Sequence, residues 1–149
     1  MSPDPADDAA DRSEEERDRA AVEELLGRAP RGLHRIVVRD DAGRPVVIRN
    51  HPLLDDGTPM PTLYWLLDRD LNRRIGRLEA DGGVKAAEAD VDPDELLAAH
   101  ERYRAERDAE LPDDWAGPRP FGGVGGTRRG VKCLHTHYAW YLAGGDDPV

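Results

Sequence analysis

The chain has 149 residues, 38% of them hydrophobic and 35% charged, and carries a formal net charge of −10. That length fits one domain with a modest core, and that charge argues against nucleic acid or an anionic membrane surface as a partner, since both select a dominant basic face. A single cysteine leaves no internal disulfide and fits a reducing, cytoplasmic setting, while the start lacks an apolar signal core and no run approaches the roughly 20 apolar residues that span a bilayer.

Residues 1–12 are rich in Asp, Ala and Pro and read as a disordered acidic tail. Ser13 with Glu16 makes a capping box, so a helix is expected over 13–28. Its narrow stripe of Ala21, Val22, Leu25 and Leu26 would pack on the domain or on a protein partner. A solvated helix that docks only weakly is the competing reading. Residues 29–149 are expected to form one α+β domain.

Leu33–Arg39 and Pro45–Arg49 read as strands, with Asp40-Asp41-Ala42-Gly43 as the hairpin turn between them. Residues 50–61 hold three prolines and an Asp-Asp-Gly turn, which excludes regular structure. Thr62–Leu67 reads as a third, buried strand, with a helix start as the alternative. Asp68 is a suitable N-cap for a helix over Arg69–Ala80, stopped by Asp81-Gly82-Gly83. The stretch 84–91 is ambiguous. Asp92-Pro93 opens a helix expected to reach about Glu110, with Leu96, Leu97, His100 and Tyr103 inside. Arg102, Arg104, Glu106, Arg107 and Asp108 read as its solvated face. A sheet of about three antiparallel strands packed with three to four helices follows, because neither set buries its apolar face alone.

The stretch Phe121–Tyr141 carries the chemistry. Gly122, Gly123, Gly125 and Gly126 form a loop that a ligand can approach closely. Arg128, Arg129 and Lys132 precede an apolar helix expected over Val131–Ala143, and a helix start with nearby cations suits an anion. The competing reading is a flexible loop whose cations pair with some of the 31 acidic residues. No phosphate-loop sequence is present, which argues against an ATPase. Cys133 and His137, four apart, would share a helix face, with His135 pointing elsewhere. Cys133 reads as a nucleophile with a lowered pKa, as one of two metal ligands, or, the favoured reading, as a small core residue. His100 reads as a core histidine. With one cysteine and scattered histidines, no metal site and no cofactor are expected.

Gly27-Arg28-Ala29-Pro30-Arg31-Gly32, Leu54-Asp55-Asp56-Gly57-Thr58-Pro59-Met60-Pro61-Thr62-Leu63-Tyr64-Trp65-Leu66, Arg77-Leu78-Glu79, Ala99-His100-Glu101-Arg102-Tyr103 and Arg129-Gly130-Val131-Lys132-Cys133-Leu134-His135 follow one another in this chain. In that order they resemble the bacterial, mainly actinobacterial, domain of unknown function 501 family. The resemblance covers most of residues 27–149. It implies no established activity. It does imply a gene neighbourhood shared with a septum-formation initiator and an exopolyphosphatase-like protein. Relatives often carry a Cys-Pro-x-Gly-like turn in the hairpin and Cys-Pro or His-Pro after the aromatic strand. Here Asp40-Asp41-Ala42-Gly43 and Asp68-Arg69-Asp70 stand there instead, which lowers the expectation of zinc further.

Two functions are therefore expected as alternatives. In the first, a cytoplasmic protein binds, or binds and turns over, a small phosphorylated or carboxylated molecule. Arg128, Arg129 and Lys132 hold its anion, the loop from Asp55 to Thr62 forms one wall with Asp56 and Thr58 as polar contacts, His135 is acid or base, and Cys133 is a buried neighbour or a nucleophile. In the second, a non-catalytic module acts with division or envelope proteins. The N-terminal helix anchors it there, together with any exposed one of Trp65, Trp115 and Trp140.

Overall fold

The computed structural model describes the backbone of residues 5–149 and the side chains from residue 13 onward. Helix α1 spans Pro5–Leu26, followed by strands β1 (His34–Arg39), β2 (Pro45–Asn50) and β3 (Tyr64–Leu66). Helices α2 (Arg69–Ala80), α3 (Gly83–Asp90) and α4 (Pro93–Asp108) come next, then a 3₁₀ turn at Val124–Gly126 and helix α5 (Leu134–Leu142). The three strands form one antiparallel sheet in the order β1-β2-β3. The architecture is α+β, as the sequence implies.

The first helix begins earlier than the capping box suggests. The tail expected over 1–12 lies outside the described residues at 1–4, and from Pro5 the backbone is already helical. Proline suits a helix start because its φ is preset and its missing N–H has no partner to lose. Ser13 is therefore inside the helix, where its hydroxyl accepts from the Arg17 guanidinium at 2.9 Å.

The apolar stripe of α1 is used within the protein. Val22 is 1% exposed and packs with Ile48 and Leu67, joined by Leu25, Leu26 and Ile36. Burying a valine side chain contributes about 1.5–3 kcal/mol, enough to bias a charged helix toward docking. Asp18 adds a bidentate pair with Arg39, at 2.9 and 2.8 Å. The hydrogen bond from Arg39, opposed in part by desolvation, holds the Asp18 carboxyl below its ordinary range.

The hairpin turn forms as its residues dictate. Asp40 Oδ1 accepts the N–H groups of Ala42 and Arg44 at 3.0 and 2.8 Å, and Gly43 supplies the positive φ of 80°. β2 is the middle strand, so Val46 and Val47 enter the main core and Ile48 the smaller cluster beneath α1. β3 is shorter than the apolar run 62–67. Leu63, just before it, gives its N–H to the Tyr103 hydroxyl rather than to a strand.

Helix α4 carries the main polar anchors of the core. Asp92 caps its start by accepting from Asp94 and Glu95 N–H groups, with Pro93 in the first turn. Its inner face holds Leu96, Ala99, His100, Tyr103 and Arg107. The Tyr103 hydroxyl accepts from Leu63 N–H at 2.7 Å and from Tyr64 N–H at 3.1 Å. Arg107 corrects the solvated-face expectation, since it is 0% exposed. Its guanidinium donates to the carbonyls of Pro61 and Pro120 at 3.1 and 3.4 Å and to Asp108 at 2.9 Å. Neither proline-flanked segment forms regular structure, so their carbonyls need a donor from elsewhere. Arginine supplies several from one planar fork.

Replacing Arg107 by Met should destabilise the fold by at least about 2 kcal/mol, because buried carbonyls lose their donor. The urea midpoint measures it. A shift equal to that of an exposed control such as Arg104→Met would contradict the role given to Arg107.

Candidate functional site

The chemistry-bearing residues gather where α2 meets the segment entering α5, beside β3. Helix α5 begins at Leu134, three residues later than the apolar run suggests, and Cys133 occupies the N-cap position in extended conformation, φ −150° and ψ 125°. Its side chain therefore does not lie on the helix face. The expected pairing of Cys133 with His137 does not form. Cys133 Sγ instead lies 3.5 Å from His135 Nδ1, because the extended residue turns its thiol back over the first helical turn.

His135 is held from two sides. Nε2 lies 3.1 Å from the Asn72 carbonyl. A carbonyl only accepts, so Nε2 carries a proton. Nδ1 lies 2.7 Å from Glu79 Oε1 as well as 3.5 Å from the thiol. The other oxygen of Glu79 accepts the Leu134 N–H at 3.2 Å. Glu79, Cys133 and His135 thus bring one donor atom each within 4.8 Å of one another, and all three side chains are half-buried. Cys133 and His135 also line a pocket of about 270 Å³ with Tyr64, Trp65, Asn72 and Thr136.

Sequence reasoning missed Glu79. It lies one turn beyond Ile75 on the face of α2 that turns inward, and it comes at a helical spacing otherwise filled by apolar residues. An acid at such a position is the signal that was available.

The glycine loop is built for packing. Gly122, Gly125, Gly126 and Gly130 have φ between 66° and 75°. A Cβ on Gly123 would meet His100 at 2.6 Å, so a side chain there would displace the histidine. The loop's N–H groups are largely paired: Gly123 to the Thr127 carbonyl at 2.8 Å, Gly126 to the Gly123 carbonyl at 3.0 Å, and Val124 to His100 Nδ1 at 3.0 Å. Val131 N–H goes to Glu88 at 3.1 Å, and Leu134 N–H to Glu79. The start of α5 thus meets carboxylates of the chain itself.

The three cations lie outside that network. Arg128 and Arg129 are exposed, as is Lys132, and among the described residues none of them has an ion-pair partner. The Arg128 guanidinium sits over the Phe121 ring, 4.6 Å from its centre. Asp56 and Thr58 bond to each other in a tight turn, Thr58 N–H to Asp56 Oδ1 at 2.9 Å. The Thr58 side-chain hydrogen bond first, and then its backbone N–H, hold the Asp56 carboxyl below its usual range. That turn abuts Trp115 at Gly57, and among the described residues no hydrogen bond or ion pair joins it to Cys133 or His135.

Two other histidines have separate places. His137 is buried, bonds Asp147 through Nδ1 at 2.8 Å, and leaves Nε2 without a hydrogen bond among the described residues. It borders an apolar groove of about 480 Å³ between α2 and α5, lined also by Leu71, Ile75, Leu78, Leu134 and Tyr141. His100 is a core histidine, as expected. It receives Val124 N–H on Nδ1 and donates from Nε2 to the Gly130 carbonyl at 2.8 Å. Burial lowers its pKa from 6.5, helped by His137 and opposed by the bond to Gly130 and by the carboxylates of Asp147 and Glu101.

A family model described as "Protein of unknown function (DUF501)" matches residues 36–149. No curated protein and no solved structure matches.

The tautomer of His100 sets a pH dependence. The folded state favours the neutral ring, so its contribution is complete above pH 6.5, the ordinary histidine value, and declines as pH falls from there toward the lowered folded value. Urea midpoints at pH 7.5 and 5.5 should differ by more in the wild type than in His100→Gln. Equal differences would contradict this account.

Proposed function

The chain belongs to the DUF501 family, and we propose that it binds a small phosphorylated or carboxylated molecule in the cytoplasm through Arg128, Arg129 and Lys132. The observation that carries this reading is the lack of ion-pair partners for these three neighbouring cations, among the described residues, in a chain of net charge −10. Most Lys and Arg side chains among the described residues also lack an ion-pair partner, and what sets these three apart is that they lie within five consecutive positions. Three cations left together in adjacent positions suit an external anion. The Phe121 ring beneath Arg128 favours a fixed guanidinium over a freely moving one.

The anion is held by side chains rather than by the helix start. The N–H groups of Val131 and Leu134 already pair with Glu88 and Glu79. Lys132 follows the turn at Gly130 and directly precedes Cys133. An anion held there brings the rest of its molecule toward the thiol and imidazole, which are the groups available for chemistry on it. Asp56 and Thr58 are satisfied by their own turn and are left out of the binding set.

The alternative, an interaction module anchored by α1, has less support. Val22 is covered by the sheet, with Leu25 and Leu26 packed beside it, and Trp140 is 2% exposed. Trp65, at 40% exposed, is the most open of the three tryptophans.

A thermal-shift panel of phosphate, pyrophosphate, short polyphosphate, nucleotides and sugar phosphates at low salt tests the anion reading. A ligand that binds only the folded state raises Tm by mass action. At least one member should raise Tm, and the Arg129→Ala, Lys132→Ala double variant should lose that rise while keeping its unliganded Tm. A flat panel, or a rise unchanged in the double variant, would end the reading.

A further inference from the structure

We propose that Glu79, Cys133 and His135 form a binding site for a divalent transition-metal ion of zinc-like character. The inference goes beyond the anion reading and does not depend on it, because no ligand is one of the three cations.

The first observation is the placement of His135. Nε2 donates to the Asn72 carbonyl, which leaves Nδ1 as the ring nitrogen facing Glu79 Oε1, 2.7 Å away, with the thiol sulfur 3.5 Å from the same nitrogen. Two lone-pair-bearing atoms at that separation repel unless a cation stands between them. A proton satisfies the Nδ1–Glu79 pair alone. A metal ion satisfies nitrogen, oxygen and sulfur together.

The second observation is the spacing. Tetrahedral bonding at about 2.1 Å to nitrogen and about 2.3 Å to sulfur separates those atoms by about 3.6 Å, and Nδ1 and Sγ stand 3.5 Å apart. The carboxylate oxygen lies about 0.6 Å nearer to Nδ1 than tetrahedral ligation asks. Closing that gap needs a shift of that size in Glu79 Oε1 while Oε2 keeps the Leu134 N–H.

The third observation is the outer support. Metal-bound histidines usually give their second N–H to a carbonyl or carboxylate, and ligating carboxylates are themselves hydrogen-bonded. Here His135 gives Nε2–H to Asn72, and the spare oxygen of Glu79 takes Leu134 N–H. Asn72 is itself fixed, its side chain donating to the carbonyls of Leu66 and Asp68 at 3.0 and 2.9 Å. Cys133 makes no side-chain capping bond to α5, so its sulfur is free to ligate.

The donor set selects the ion. Thiolate with imidazole suits zinc or cobalt, whereas magnesium and calcium require oxygen ligands. Three protein ligands leave a fourth position for water or an exogenous group, as in exchangeable rather than purely structural sites. Cys133 and His135 border the 270 Å³ pocket, which gives that position access.

Tag-free full-length protein, stripped with a chelator, is titrated with Zn²⁺ and with Mg²⁺ by calorimetry, and with Co²⁺ by absorption. One equivalent of Zn²⁺ should bind and Mg²⁺ should not. The Co²⁺ form should show a thiolate-to-metal charge-transfer band. Cys133→Ser should abolish that band. Cys133→Ser and His135→Ala should each weaken Zn²⁺ binding at least tenfold, and Glu79→Gln should weaken it while its amide oxygen still accepts Leu134 N–H. Circular dichroism confirms that each variant is folded, and Cys133→Ser removes no capping bond. No Zn²⁺ binding by the wild type, or affinity unchanged in both Cys133→Ser and His135→Ala, would overturn the proposal. Neither result touches the anion panel, so the two readings fail separately.

Discussion

The inner face of α4 is the constraint on which the rest depends. Three of its side chains, with the half-buried Glu106 beside them, tie down the segments packed around it. His100 fixes the glycine loop at Val124 and Gly130, and Tyr103 fixes the approach to β3 at Leu63 and Tyr64. Glu106 accepts from Arg49 of β2 and from the Tyr64 hydroxyl. Arg107 fixes the segments ending at Pro61 and Pro120. Long stretches of this chain form neither helix nor strand, and only part of their backbone polar groups pair with one another. A helix bearing polar groups inside a hydrophobic core supplies partners for others, and the burial has electrostatic consequences. Desolvation and then the Glu106 carboxylate push the Tyr64 phenol up to about 12, so it remains a donor across the physiological range.

This anchoring is what places the site. With the glycine loop tied to His100, the chain must enter α5 along a fixed line. Leu134 then faces α2, and Cys133 has one extended residue in which to turn its side chain back toward His135. Two carboxylates complete the entry. Glu88 of α3 takes Val131 N–H, and Glu79 of α2 takes Leu134 N–H. The helix start is therefore stabilised by negative charge, as its dipole requires, but that charge is internal.

Much of the scaffold was legible in sequence because it depends on local chemistry. Asp40 to Gly43 encode the hairpin, Asp68 caps α2, and Asp92 with Pro93 opens α4. In each case the decisive bond lies within four residues. The site was less legible because its bonds are long in sequence. Glu79 meets His135 across 56 positions, and only the packing of α2 on α5 brings them together. The hydrophobic run 131–143 pointed to an early helix start, yet Gly130 at φ 66° and extended Cys133 delay it to Leu134. That shift moved the partner of Cys133 from His137 to His135. Arg107 was misread for a related reason. Its charge argues for solvent, and nothing nearby in sequence shows that two proline-flanked carbonyls await a donor.

Glu79 joins the fold and the chemistry in one side chain. Its Oε2 is committed to the backbone of α5, which holds the carboxylate in place and leaves Oε1 to meet His135. A free surface glutamate would lose rotamer entropy on meeting the imidazole. Glu79 has already lost it on folding, so its approach to His135 adds little further cost. The same logic separates the two kinds of charge in this region. Glu79 and Glu88 are each held by a backbone N–H of the segment entering α5. Arg128, Arg129 and Lys132, on the same loop, find no such call from the backbone and stay at the surface. An acidic chain thus places a localised positive patch beside a cluster of metal-type donors, without needing a basic protein to do so.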